Sequence, residues 1–420
     1  MRSNGSVHLV DALYDGVAIP ILRAVLPAVA SAVRAVQPRL QAWSREEQHT
    51  RDRLAVPAAT SGPRCWIHAA SVGELEQLLP IVREIRERRP EVSVVATVTS
   101  ISAIDHARQS PLLDDALLLP VDHLPTMRRL VAALQPTAVV INRYDLWRSM
   151  IRALHEARVP MVLVNATAPT RAHHFLVGAW LTDTYRQLTE ILAISEHHAE
   201  RLHQIASHVP VSVVPDSRVD QVLYRLHHRT PAQDLSAWIP HRDYPTVIVG
   251  SAWPADLDLL ASALQELPVQ PRLVIVPHQL RESEIVQTCL RFDALRYSTD
   301  QPDPSRNVVV DTYGLLVDLY PLGTAAWVGG GFGAGVHSTT EPACAGLPIV
   351  CGPNIHRSLD AQSLQQEGSL TVITSVQEAR DWLRSQIVLA VGSVDTRSSW
   401  LEERLGASAT AAVHVLKYLS

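Results

Sequence analysis

Between Val328 and Pro342 the chain reads Val-Gly-Gly-Gly-Phe-Gly-Ala-Gly-Val-His-Ser-Thr-Thr-Glu-Pro, with five glycines in the seven residues Gly329–Gly335. An apolar run precedes this stretch and a helical pattern follows it. Glycine lets a backbone approach a ligand closely and take positive φ. Amide N–H groups at a helix start face an anion that the helix dipole favours. Gly330, Gly331, His337, Ser338, Thr339 and Thr340 are therefore candidate nucleotide-phosphate contacts, with Ser338 or Thr339 as N-cap. Glu341, one turn in, could accept ribose hydroxyl protons. The competing reading is a glycine-rich turn with a capped helix, but five glycines exceed what a turn requires. Gly329-x-Gly331-x-x-Ala334 also fits a relaxed dinucleotide fingerprint. That fingerprint wants an acid roughly 20 residues on, where Cys351-Gly352-Pro353 stand instead, so a nicotinamide dehydrogenase is disfavoured.

Further candidates follow other apolar runs. Trp66-Ile67-His68-Ala69-Ala70-Ser71-Val72-Gly73-Glu74 ends a strand and starts a helix. Glu74 is there either a general base or an acid stabilised by the helix dipole. In Arg143-Tyr144-Asp145-Leu146-Trp147, Asp145 either faces a ligand or caps a helix. In Pro215-Asp216-Ser217-Arg218-Val219-Asp220, the planar fork of Arg218 suits a phosphate or carboxylate as well as a surface ion pair. Ser251, in Gly250–Pro254, and Pro277-His278 again end strands. Asp256-x-Asp258 has a metal-binding spacing, but it falls in a first helical turn where acids serve the dipole, and no metal is expected. The pairs His197-His198 and His227-His228 lie on polar stretches and read as solvated.

The elements that must position these residues alternate regularly. Strands are expected at Cys65–Ala69, Val92–Val98, Ala116–Leu119, Thr137–Ile141, Met161–Val164, Ile191–Ile194 and Val209–Val214. After a break rich in proline, histidine and arginine they resume at Thr246–Gly250, Arg272–Val276, Val308–Asp311, Ala325–Val328, Pro348–Cys351 and Leu370–Ile373. Continuous apolar strands separated by helices imply parallel sheets covered on both faces. The fold class is thus α/β, with two doubly wound Rossmann-like domains facing a cleft. The expected division is an apolar segment at 1–56, a first α/β domain at 57–225, a linker at 226–245 and a second α/β domain at 246–420. Ligands in such domains bind beyond the carboxyl ends of the strands.

At 420 residues the chain is too long for one core. A net charge of −5 gives no sign of nucleic-acid binding. Four cysteines without a C-x-x-C pair read as buried free thiols. Val17–Val36 is apolar but interrupted by Arg23, Arg34, Pro20 and Pro27, which suits neither a spanning helix nor a signal peptide. An apolar helix lying at a membrane surface fits better, with Arg23, Arg34, Arg39 and Arg45 near anionic headgroups. The alternative is a helix packed on the first domain.

Taken in order, these motifs resemble the 3-deoxy-D-manno-octulosonic acid (Kdo) transferase family of lipopolysaccharide synthesis. Ser71–Glu74 matches its S-V-G-E, Arg143–Trp147 its K-Y-E-F-W or E-T-E-L-W block, and Asp216–Asp220 its D-T-R-F-D. Gly250–Pro254, Pro277-His278 and Asp311–Leu315 follow in order, and Gly329–Pro353 is similar to G-G-G-F-G-x-G-I-H-N-x-x-E with the G-x-P-V-x-F-G-P-N after it. The resemblance implies a GT-B fold, with 57–225 as the acceptor-binding domain and 246–420 as the donor domain, and an inverting, metal-independent transfer from CMP-Kdo to a lipid A precursor at the cytoplasmic face of the inner membrane. It implies Glu74 as the base, Asp145 and Arg218 as supports of the transition state, and CMP contacts from Pro277, His278, Tyr313, Gly314, Leu315, Ser338, Thr339 and Glu341. Three residues depart from the pattern: Asp145 for Glu, Ser338 for Asn and Pro215 for Gly. Alternatives are a GT-B enzyme of another nucleotide sugar, such as a UDP-sugar transferase or UDP-N-acetylglucosamine 2-epimerase, and a non-enzymatic nucleotide-sugar-binding regulator.

Overall fold

A computed structural model describes residues 14, 37–54, 62–169, 175–228, 235–239, 244–389 and 399–420. The chain divides into two units. Unit 1 holds the described residues up to Arg218 together with Gly406–Ser420, and unit 2 is Val219–Leu405.

Unit 1 is built on seven parallel strands: β1 (Arg64–Ala69), β2 (Ser93–Val98), β3 (Asp115–Leu118), β4 (Ala138–Asn142), β5 (Met161–Ala166), β6 (Glu190–Ala193) and β7 (Val211–Val213), in the order β3-β2-β1-β4-β5-β6-β7. Unit 2 repeats the pattern with β8 (Thr246–Ala252), β9 (Arg272–Pro277), β10 (Ala294–Arg296), β11 (Asn307–Val309), β12 (Ala325–Val328), β13 (Ile349–Cys351) and β14 (Leu370–Val372), in the order β10-β11-β9-β8-β12-β13-β14. Both sheets are covered on two faces, which is why their strands are almost continuously apolar. On β1, Cys65, Ile67 and Ala69 enter one core with the helix Val72–Arg88, while Trp66 enters the other with Met127, Met150 and Ile151. In each sheet the chain winds to one side and then returns to the other. The switch points lie between β1 and β4 and between β8 and β12, where ligands gather in folds of this kind.

All thirteen expected strands are present. The short edge strand β10 is the one that the apolar pattern did not announce, because only Ala294 and Leu295 carry it. Two boundaries differ from expectation. The helix Ala407–Leu416 packs on unit 1, where Ala407, Ala411, Ala412, Val415 and Leu419 join its core against the helix Val72–Arg88. His414 Nδ1 and Tyr418 Oη meet the buried Glu190 at 2.6 and 3.1 Å. The described parts of the expected linker belong to unit 2. Leu226–His228 end the helix Arg218–His228, and Leu235 and Trp238 are buried in the core of unit 2.

The apolar stretch Val17–Val36 lies outside the described residues. The helix Gln37–Arg53 that follows it packs on unit 1, with Arg53 paired to Asp115 and Glu46 to Arg108, and with Glu47 accepting from the Val121 N–H. Among the described residues no helix is long and apolar enough to cross a membrane. All four cysteines are free. Cys65 and Cys351 are buried, with thiols pushed up to about 12 by desolvation, whereas Cys289 and Cys344 are half-buried.

Candidate active site

In unit 1 the candidate residues converge on the switch point. Glu74 lies in the first turn of the helix after β1, where Ser71 caps the helix by accepting the Glu74 N–H. The Glu74 carboxylate turns back to accept the Ala70 N–H at 2.8 Å, a reciprocal arrangement of the capping-box kind. Thr99, beyond β2, donates to Ala70 O at 2.9 Å and fixes the loop from the other side. The half-buried Glu74 carboxylate is therefore held at the carboxyl end of β1 rather than swinging in solvent.

Asp145 does not cap the helix Arg148–Glu156. Asp122 serves that helix instead, accepting from Ser149 N and Met150 N at 2.9 Å each. Asp145 meets His68, a fully buried residue of β1, at 2.9 Å. His68 Nδ1 is 2.8 Å from Thr97 Oγ1, which accepts from Trp66 Nε1 at 2.7 Å. A chain of polar groups thus runs through the sheet and ends at the half-exposed carboxylate.

Arg218 is backed by Gln77, one turn beyond Glu74 on the same face of its helix. With the Gln77 carboxamide oxygen toward the guanidinium, it accepts from Arg218 Nε at 3.0 Å and Nη2 at 2.5 Å. Around it, Ser217 donates to Gln77 O and Asn165 Oδ1, Asn165 donates to Asn142, and Asn142 donates to Glu74 O. Asp216 accepts from Arg143 Nη2 at 3.2 Å and from Arg218 N at 2.9 Å. Arg143 and Asn165 hold left-handed φ of 60° and 51° at the ends of β4 and β5. Backbone strain of this sort collects where a site dictates local geometry. His198 corrects the reading of its pair as solvated: it is 9% exposed, and its Nδ1 accepts the Ala168 N–H. Desolvation holds this imidazole below its ordinary range. His197 is exposed.

In unit 2 the glycine-rich stretch follows β12, as expected, but most of its amides are occupied internally. Gly329 N donates to Gly250 O, Gly330 N to Asp256, Gly333 N and Gly335 N to Gly330 O, Val336 N to Asn354 O and His337 N to Gly329 O. The glycines serve close backbone packing. A Cβ on Gly331 would lie 2.6 Å from Gly352 N, and one on Gly330, at φ 88°, 2.4 Å from Gly335 O. The helix after it, Thr340–Cys344, is five residues long and has no side-chain cap. Ser338 Oγ and Thr339 Oγ1 are buried without a hydrogen-bond partner, so neither performs the capping expected of it. Thr340 Oγ1 donates to Asp360 at 2.9 Å and is turned to structure rather than ligand. An anion there would meet hydroxyls more than amides.

Around the stretch stand the other candidates. Ser251 takes φ 51° where the register of β8 and β9 shifts. Pro277 ends β9, and His278 N donates to Ala252 O. Tyr313 is 76% exposed, with Gly314 at φ 86° beside it and Leu315 before the short helix Leu316–Leu319. Asp256 is fully buried. Its Oδ2 accepts from Trp253 N and Gly330 N at 2.9 Å each and so joins the loops after β8 and β12. Desolvation raises its carboxyl above the ordinary range. Asp258, two residues on, pairs with Arg291, so the D-x-D carboxylates are committed separately. Sequence reasoning gave His68, Gln77 and Trp253 no role and read Asp256 as a first-turn acid. For His68 the available signal was an imidazole within an otherwise apolar strand.

A family model described as 3-Deoxy-D-manno-octulosonic-acid transferase (kdotransferase) matches residues 36–221. The chain is 25% identical over 321 residues to the 3-deoxy-D-manno-octulosonic acid transferase of Chlamydophila psittaci, covering 71% of this chain and 72% of that one. It is 24% identical over 311 residues to that of Aquifex aeolicus, covering 72% and 80%. Among solved structures, UDP-GlcNAc 2-epimerase from Methanocaldococcus jannaschii aligns with a TM-score of 0.63 at 12% identity, covering 84% of this chain and 99% of that one, which shows the GT-B fold. Beside the ordered motifs and the two doubly wound units, these matches support the Kdo transferase family for this chain.

Proposed function

We propose that the protein transfers Kdo from CMP-Kdo to a lipid A precursor with inversion, as one step of lipopolysaccharide synthesis. The observation that carries this reading is the Glu74 carboxylate, fixed by the Ala70 N–H at the carboxyl end of β1. Glu74 takes the proton of an acceptor hydroxyl, and that oxygen attacks the anomeric carbon of Kdo. The bond from this carbon to the CMP phosphate oxygen breaks, and CMP leaves with the electron pair. Arg218, held by Gln77, balances negative charge that develops in the transition state, and Asp145, held by His68, orients the acceptor. On unit 2, Ser338, Thr339 and His337 receive the phosphate, Glu341 the ribose, and Pro277, His278 and Tyr313–Leu315 the rest of CMP. The transfer needs no metal in this scheme.

Glu74→Gln keeps the acceptor for the Ala70 N–H and removes the base. Incubation with CMP-Kdo and a lipid A precursor, followed by mass analysis of the lipid, is expected to show a loss of about 10²-fold or more, the scale of a missing general base. CMP binding, read by thermal shift, is expected to stay unchanged. Full transfer by the variant would remove Glu74 from this role. A membrane-surface role for the segment before Gln37 belongs to the same proposal. Deleting residues 1–36 is expected to abolish binding to anionic liposomes, and retained binding would refute it.

A further inference from the structure

Three rings meet beside the glycine-rich stretch. Trp253 Nε1 lies 2.8 Å from His337 Nε2, with ring planes 19° apart and centroids 6.2 Å apart, so the two rings are nearly coplanar and joined at their edges. His278 covers the seam. Its centroid is 4.5 Å from Trp253 at 14° and 4.5 Å from His337 at 30°. The Trp253 backbone is held by Asp256, which holds Gly330 as well. A Cβ on Gly330 would reach 3.0 Å from His337 Cδ2, so a glycine is needed for the imidazole to lie there.

An indole N–H can only donate. His337 Nε2 must then be the nitrogen without a proton, because a proton there would set two donors face to face at 2.8 Å. The neutral ring carries its hydrogen on Nδ1. Burial and the neighbouring His278 act in the same direction, keeping this imidazole below its ordinary range. Among the described residues, the titratable groups beside this assembly are His278, stacked on both rings, and Asp256, which accepts from the two flanking backbones.

We propose that Trp253 is a positioning residue that locks His337 as the neutral Nδ1–H tautomer, so that the ring offers an anionic ligand one hydrogen bond and no full positive charge. The inference rests on reading unit 2 as the nucleotide half of the site. A neutral donor suits a phosphate that gains charge on leaving and must then depart, whereas a fixed cation would retain it.

Nitrogen-15 NMR of the histidines in the full chain, with His337 assigned by His337→Gln, tests the lock without any ligand. The wild type is expected to show His337 Nε2 as an unprotonated acceptor and Nδ1 as protonated at neutral pH. Trp253→Phe keeps a flat ring against His278 but removes the N–H. It is expected to give a mixture of tautomers and a ring that takes up its second proton at higher pH. Calorimetry on the same samples, at a pH where the ring is neutral in both, should show CMP bound more weakly by the Phe variant, by the factor that the lost fraction of the Nδ1–H tautomer sets. A wild-type His337 protonated on Nε2 overturns the proposal, and this spectrum decides the matter even if the variant does not fold. A wild type locked as Nδ1–H that fails to bind CMP leaves the lock standing and removes the nucleotide reading. CMP binding with Nε2 protonated does the reverse.

Discussion

Asp256 places a fully buried carboxyl between two loops and gives it two amide donors through one oxygen, with the Trp327 indole as a further neighbour. Desolvation outweighs the amides, so the folded protein holds the acid's proton more tightly than the unfolded chain does. Its contribution to stability is therefore present at acid pH and is lost as pH rises from the ordinary value of 3.8 through the raised folded value. Asp256→Asn cannot titrate. The difference in unfolding free energy between the Asn variant and the wild type is expected to move in the variant's favour as pH rises through that window, read by denaturant melts across a pH series. A constant difference would show that Asp256 does not titrate in this way. The residue types at both half-sites were legible in the sequence, since carboxylate, guanidinium and glycines all stand after strands. Their partners were not. Gln77 supports Arg218 across 141 positions of chain, from the helix after β1 to the residues that follow β7, and only the folded unit brings these together. Helical spacing alone marks Gln77 as a neighbour of Glu74, which gives no hint that an arginine waits on its other side.

At the scale of elements, the glycine-rich stretch shows how a correct location can carry an incomplete reason. The run marked the end of β12, and the unit 2 switch point lies there. Its glycines, however, answer first to backbones: Gly331 is pressed against Gly352, and Gly329 against Ser251. Gly331→Ala is expected to cost about 1–3 kcal/mol, as overpacking does, and to lower the melting of unit 2 whether or not nucleotide is present. An unaltered melt would mean that the two loops can part. The strands were legible because burial on both faces makes them apolar runs, and β10 escaped because an edge strand of three residues needs no such run. The same reasoning explains why the break read as a linker: Leu235 and Trp238 are too few to form a pattern, yet they join the core of unit 2.

For the whole molecule, the fifteen residues Gly406–Ser420 belong to the unit that the chain left at Arg218. Nothing in their apolar pattern says which core they fill, since Ala411, Ala412 and Val415 would suit either. Ending the chain after Leu405 is expected to lower the melting temperature of unit 1 by several degrees while leaving that of unit 2 in place. Two separately tracked transitions in calorimetry would show it, and equal shifts in both would contradict the assignment. The arrangement also sets an order on synthesis. Unit 2 is one continuous stretch and can fold as soon as it has left the ribosome, whereas unit 1, although begun first, lacks part of its core until Gly406–Ser420 has been made. During that interval the helix Val72–Arg88 presents to solvent the face that Ala411, Ala412, Val415 and Leu419 later cover. A nascent chain paused within unit 2 is thus a species with an unfinished first half, a natural client for a chaperone, and the half that carries Glu74 is the last to mature.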